Sequence, residues 1–132
     1  MRPVFADSFY FLALFNKSDK AHAQAAEFAA VGVPVITTAW VLTEVGDAFC
    51  APENRNLFLL LLDTIRESPD ARIIPASEEL FERGVALFRQ RPDKDWPLTD
   101  CISFAVMKGE GITDALTGDH HFGQAGFRPL LK

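Results

Sequence analysis

At 132 residues the chain can build one hydrophobic core and is too short for two, so residues 1–132 are expected to form a single domain. Hydrophobic residues make up 48% and charged residues 23%, an ordinary globular balance, with Phe 12 against Tyr 1 weighting the aromatics toward apolar packing. A formal net charge of -5 excludes a broadly basic polyanion-binding surface, but not a nucleic acid held through a metal ion and a local group of cations.

Short punctuation separates strand-like from helix-like segments along the whole chain, with no repeat, linker or low-complexity tract. Val4-Phe5-Ala6 reads as a buried strand, Ser8 to Phe15 as a short helix, and Lys20 to Ala30 as an Ala-rich helix ended by Gly32. Pro34 to Thr37 follows as a strand. Thr38 is placed to cap a helix from Ala39 to Cys50, which Pro52 stops. Asn56 to Glu67 is a helix ended before Pro69, and Ala71 to Ile74 is a third strand. Ser77 caps a helix to about Arg89, and Thr99 is expected to cap one from Asp100 to Lys108, broken by Gly109 and Gly111. Ile112 to Thr117 is a fourth strand, Asp119 to Gln124 a short helix or turn, and Arg128 to Leu131 an edge strand where proline is tolerated. Such alternation predicts an α/β fold, a mostly parallel sheet covered by helices.

Four acids, Asp7, Glu44, Asp100 and Asp119, stand beside apolar segments, where a carboxylate is costly unless paired, protonated or bound to a cation. Asp7 and Asp119 fall just past strand ends, where open parallel sheets build their sites. Asp100 sits in the first turn of a helix, favoured there by the macrodipole. Glu44 lies along the edge of a stripe in which Trp40, Val41, Val45 and Ala48 are expected to point inward. Taken singly, each has a plain structural reading: dipole complement for Asp100, N-cap or Asx-turn for Asp119, a side chain reaching solvent for Glu44. Four such coincidences at one crevice favour a divalent-metal site.

Other residues are weaker candidates. Ser8 and Thr99 neighbour two of the acids and serve equally as helix N-caps. Arg89, Arg91 and Lys94 form the densest basic stretch and could hold phosphates near Asp100, although a solvated helix end accounts for them as well. His120-His121 lacks the companion ligands of a zinc site and is read as structural or surface. Asp93 and Asp95 are expected on a solvated loop with Trp96 tucked against the body. Cys50 and Cys101 form no CxxC pair and are expected as buried reduced thiols. The run Leu57 to Leu62 is too short to span a bilayer and an acid follows the N-terminus closely, so a cytoplasmic protein with no membrane association is expected. That same run is too apolar for a helix with one wet face, which predicts a homodimer contact.

Four blocks together carry a family resemblance: Val4-Phe5-Ala6-Asp7-Ser8-Phe9, Thr43-Glu44-Val45, Asp93 through Phe104 with its Leu98-Thr99-Asp100 centre, and Ala115 through Phe127. They closely resemble PIN domains, most of all the VapC-like toxin nucleases, over essentially the whole chain. The resemblance implies a three-layer α/β/α sandwich and an acidic quartet, Asp7, Glu44, Asp100 and Asp119, that holds Mg2+ or Mn2+ and cleaves RNA. It further implies Ser8 and Thr99 as supporting hydroxyls and an antitoxin protein as partner. A PIN nuclease of RNA processing and a non-catalytic PIN-like binding module are the alternatives, but the latter would be expected to have lost an acid. Asp114, inside the fourth strand where an apolar residue is frequent, departs from the pattern. A phosphorelay receiver has similar length and alternation, yet Ile73-Ile74-Pro75-Ala76 offers no phosphoacceptor Asp after the third strand.

Overall fold

The computed structural model describes residues 1–132. In chain order the elements are β1 (Val4–Ala6), α1 (Ser8–Phe15), α2 (His22–Val31), β2 (Val35–Thr38), α3 (Ala39–Ala48), α4 (Arg55–Glu67), β3 (Ala71–Ile74), α5 (Glu78–Gln90), α6 (Leu98–Glu110), β4 (Asp114–Leu116), α7 (His120–Gln124) and β5 (Arg128–Pro129). The strands form one five-stranded sheet in the order β3-β2-β1-β4-β5, with every pairing parallel. Phe5 is opposite Ile36 on one side and Ala115 on the other, and Ala6 is opposite Leu116. The three-layer α/β expectation therefore holds. No helix is long and apolar enough to cross a membrane.

Strand order decides where helices lie. The chain steps outward from β1 through β2 to β3, then returns across the sheet to β4, and parallel crossovers are right-handed. Crossovers running in opposite directions place their helices on opposite faces, so α1 to α4 cover one face and α5 with α6 the other. The reversal happens between β1 and β4, which makes the gap beyond their carboxyl ends the crevice of the fold.

Phe5, Ala6, Ala115, Leu116 and Phe122 are fully buried at the centre of the core. Each large apolar side chain removed from water there contributes about 1.5 to 3 kcal/mol. Phe104 on α6 meets Trp96 at a ring-centroid distance of 5.1 Å, Phe122 at 4.9 Å and Phe127 at 5.6 Å, an aromatic cluster that ties α6, α7 and the loop before α6 together. Between α5 and α6 the approach is closest at Gly84, where an added Cβ would stand 2.3 Å from Ile102 Cγ1.

Several local expectations change. Helix α6 starts at Leu98 after Pro97, so Thr99 lies inside its first turn and makes no cap; Pro97 presets the extended backbone that a helix entry needs. Asp7, not Ser8, occupies the N-cap position of α1. Gly109 lies within α6, and Gly111, at φ 68°, ends it. Cys50 is exposed while Cys101 is buried. On α3 the inward residues are Val41, Leu42 and Val45, with Trp40 half-buried and Ala48 exposed. Thr38 and Ser77 do cap, accepting from the N–H of Val41 at 3.1 Å and of Leu80 at 3.2 Å. Asp114 is explained by Arg128, whose guanidinium donates to both its oxygens at 3.0 and 2.8 Å and ties β4 to β5.

Candidate active site

Each acid is delivered to the crevice by a different element. Asp7 leaves the end of β1, Glu44 comes from α3 after β2, Asp119 follows β4 at the start of α7, and Asp100 reaches in from α6 on the opposite face of the sheet. Asp7 is 3% exposed. Its Oδ2 accepts from the Thr117 hydroxyl at 2.9 Å, while its Oδ1 is buried with no hydrogen-bond partner. The Thr117 oxygen also accepts from the Asp119 N–H at 3.0 Å, so one hydroxyl from the β4 exit sets two of the acids. Asp119 caps α7 by accepting from the His121 N–H at 2.9 Å.

His121 stands at the centre. Its Nδ1 is 3.0 Å from Asp100 Oδ2 and 3.3 Å from Asp119 Oδ1, and its Nε2 is 3.4 Å from Asp95 Oδ1. His120 points outward, its side chain 74% exposed. Potential ligand atoms of Asp119, His120 and His121 lie within 4.8 Å of one another, the one such set of three in the chain. Asp7, Glu44, Asp100 and Asp119 are near enough for their charges to act on one another, although no three of them form so tight a set.

The electrostatics record this crowding. Burial pushes the Asp7 carboxyl above the usual range, and Asp119 pushes it further; the Thr117 hydroxyl and the first N–H groups of α1 pull it back. Asp100 is raised to about 7, first by burial, then by Asp7 and Asp119, against the opposing pull of His121. Glu44 reaches solvent, yet partial burial and the charges of Asp7, Asp47 and Asp119 raise it too, with the Ser8 hydroxyl working the other way. His121 is lowered by burial, but the hydrogen bond with Asp100 and the charges of Asp119, Asp100 and Asp95 outweigh this and raise it overall.

An orphaned buried carboxylate oxygen facing three more acids is a donor set suited to a hard divalent cation, which takes oxygen ligands and relieves the repulsion. Asp7, Glu44, Asp100 and Asp119 are the residues that could hold it. Ser8 sits with Glu44, whereas Thr99 makes no side-chain hydrogen bond. Arg89, Arg91 and Lys94 line one shallow cleft at the end of α5 and touch none of the acids. Arg91 is committed elsewhere: it donates to both oxygens of Asp93 at 3.0 and 2.9 Å and lies 5.2 Å from the centre of the Trp96 ring.

Sequence reasoning missed His121 and Thr117. A tandem histidine looks like surface until α7 turns one ring inward, and a threonine after a strand looks like packing until its hydroxyl is seen between two acids. The placement of both, two residues before and two after Asp119, was the available signal.

Residues 4–128 match the PIN domain. The 23S rRNA-specific endonuclease VapC20 of Mycobacterium tuberculosis is 27% identical over 126 residues, covering 94% of this chain and 95% of the relative. The crystal structure of VapC20 from Mycobacterium tuberculosis, a sarcin-ricin loop cleaving toxin, is similar with a TM-score of 0.84 at 26% identity, over 98% of this chain and 99% of that one. VapBC2 from Rickettsia felis, bound to a DNA fragment from its promoter, shares the fold with a TM-score of 0.71 at 12% identity, over 99% and 100% of the two chains. With the strand order, the acids at its switch point and a family match from β1 to β5, the chain belongs to the PIN-domain family.

Proposed function

We propose that this chain is a metal-dependent endoribonuclease that cuts RNA phosphodiester bonds, the toxin of a toxin-antitoxin pair. The observation that carries the reading is the buried, unpartnered Oδ1 of Asp7 among Glu44, Asp100 and Asp119. Asp7, Asp100, Asp119 and Glu44 would hold Mg2+ or Mn2+, the hard ions that an all-carboxylate set favours, and the chemistry supplied there would be acidification of an attacking water and neutralisation of charge on the scissile phosphate. Thr117 fixes the rotamer of Asp7, and His121 orients Asp100 and Asp119 through its contacts at 3.0 and 3.3 Å. Ser8 positions Glu44 at the mouth. The roles of Thr99, Arg89 and Lys94 are peripheral contacts to substrate, and Arg91 contributes chiefly by holding the loop that carries Trp96.

Similarity to VapC20, named for 23S rRNA cleavage, supports a structured RNA loop as the substrate class. A toxin-antitoxin complex from Klebsiella pneumoniae shares the fold, which supports an antitoxin as partner. On α4, Leu57, Leu59 and Leu60 are 40%, 52% and 63% exposed, a surface that a second copy of the chain covers in a homodimer. The decisive experiment incubates purified protein with a ribosomal RNA stem-loop in Mg2+ or Mn2+. Cutting is expected, EDTA should stop it, and Asp7→Asn should abolish it while the fold persists. Full cutting in EDTA or by Asp7→Asn refutes the reading.

A further inference from the structure

Between α5, α6 and α7 lies a cleft of about 410 Å³ whose lining contains three cations, Arg83, Arg91 and Lys108, and no carboxylate. That is unexpected in a chain with a formal net charge of -5. The shallow cleft beside it, which shares Arg91 and adds Arg89 and Lys94, also has no acid in its wall. Arg91 is neutralised by Asp93, but Arg83 and Lys108 have no carboxylate within ion-pair distance.

The cleft shows local construction. Arg83 lies across α6 with its Nη2 donating to the Ala105 carbonyl at 3.2 Å, and it does so over Gly109, where an added Cβ would stand 3.2 Å from that same nitrogen. A glycine inside a helix costs about 1 kcal/mol relative to alanine, and here it leaves space for a guanidinium held at the rim. The opposite wall is aromatic and amide: Trp96, Phe127 and Gln124, with Trp96 Nε1 donating to Gln124 Oε1 at 2.9 Å. That bond leaves the amide nitrogen of Gln124 available as a donor.

Cations at the rim and an aromatic and amide wall suit a phosphate and an unstacked base of single-stranded RNA. A volume of this order accommodates a nucleotide. The cleft also connects to the acids. Asp95, adjoining Trp96, stands 3.4 Å from His121 Nε2, and His121 in turn stands 3.0 Å from Asp100. The loop that carries Asp95 and Trp96 therefore borders both the cleft and the acidic crevice.

We propose that the cleft between α5, α6 and α7 binds a nucleotide flanking the cut, its phosphates on Arg83 and Lys108 and its base against Phe127 and Gln124, with the buried Trp96 backing that wall. This subsite rests on the ribonuclease reading and names how an acidic chain grips its substrate outside the metal site.

The test compares the unmodified chain with Arg83→Glu/Lys108→Glu in binding a fluorescein-labelled RNA hairpin in EDTA, across a salt series. The double variant should lose about tenfold or more in affinity, and its log–log salt slope should become shallower by about 1.4, two phosphates at about 0.7 each. Lys17→Glu/Lys20→Glu in the α1 to α2 connection changes the net charge by the same amount and should move neither. Mn2+ affinity by calorimetry and the melting temperature should match the unmodified chain, which shows that the fold and the acids are untouched. Should the charge reversals disturb folding, Arg83→Gln/Lys108→Gln must show the same direction with about half the change in slope or more. Unchanged RNA affinity in the folded double variant, with cutting by the unmodified chain intact, overturns the cleft and leaves the ribonuclease reading standing. Absence of cutting by the unmodified chain overturns both. RNA affinity that is unchanged while antitoxin binding is lost assigns the cleft to the protein partner instead and likewise overturns the proposal.

Discussion

Removing one charge from the acidic crevice should stabilise the metal-free protein, and Asp100→Asn is the variant that measures it. The Asp100 side chain is 8% exposed and its pKa stands at about 7 against an ordinary 3.8, with burial as the main cause and Asp7 next. A carboxyl raised in the folded state keeps its proton there while the unfolded chain has already released one. Stability must therefore fall as pH climbs from about 4 to about 7, and level off above that. A gap of about three pKa units, at about 1.36 kcal/mol each, sets the ceiling near 4 kcal/mol at pH 8. His121, whose folded pKa is also raised, slopes the same way: its stabilisation is full below about 6.5 and fades as pH rises through its folded value. Asparagine removes the charge, keeps an acceptor for the His121 ring, and should flatten most of this dependence. Urea unfolding followed by the fluorescence of Trp40 and Trp96, in EDTA at pH 5 and pH 8, reads the difference directly. The variant should exceed the unmodified protein by a few kcal/mol at pH 8 and by about 1.6 kcal/mol at pH 5, where only the first part of the pKa gap has acted. With Mn2+ at a hundred times its dissociation constant the difference should narrow by about 2.7 kcal/mol, which the unmodified chain gains and the variant largely forgoes. Equal stabilities of the two proteins at pH 8 in EDTA would refute the idea that the acids are crowded and unrelieved.

His121→Asn keeps a donor near Asp100 and Asp119 but loses the second ring nitrogen facing Asp95, so Mn2+ affinity and RNA cutting should each drop about 10- to 100-fold with the melting temperature little changed; calorimetry showing unaltered affinity, together with full cutting, would leave the histidine a bystander. Leu60→Glu places a charge on the most exposed leucine of α4 and should shift the protein from dimer to monomer in sedimentation velocity. A monomer already present in the unmodified protein at micromolar concentration contradicts this. Gly84→Ala drives a methyl group to 2.3 Å from Ile102 Cγ1 and 3.2 Å from its backbone, and should destabilise by about 1 to 3 kcal/mol in urea titration. No change would mean that α5 can slide along α6, and that their contact tolerates more room than its geometry implies.

Alternating apolar runs and punctuation by Gly, Pro, Ser and Thr were enough to place the main helices and strands, because these signals act within a few residues. Thr38 before Ala39 and Ser77 before Glu78 cap where their hydroxyls predict, and Asp7 and Asp119 fall at strand ends because β1 and β4 are short apolar runs that stop there. Local signals also misled. Thr99 looks like a cap, but Pro97 has already set the backbone for a helix that begins one residue earlier than Thr99; Gly109 looks like a breaker, but the helix runs on to Gly111 and the missing Cβ leaves room for Arg83. Which acids meet was implied by family resemblance and is visible only in the sheet order, since β1 and β4 become neighbours through a crossover longer than any sequence window. The inward turn of His121 onto Asp100 and the reach of the Thr117 hydroxyl to Asp7 were decided by tertiary structure alone. A side chain's partner is set by the packing of elements distant in the chain, and burial, which raises the carboxyls of Asp7 and Asp100, exists only once those elements have closed around them.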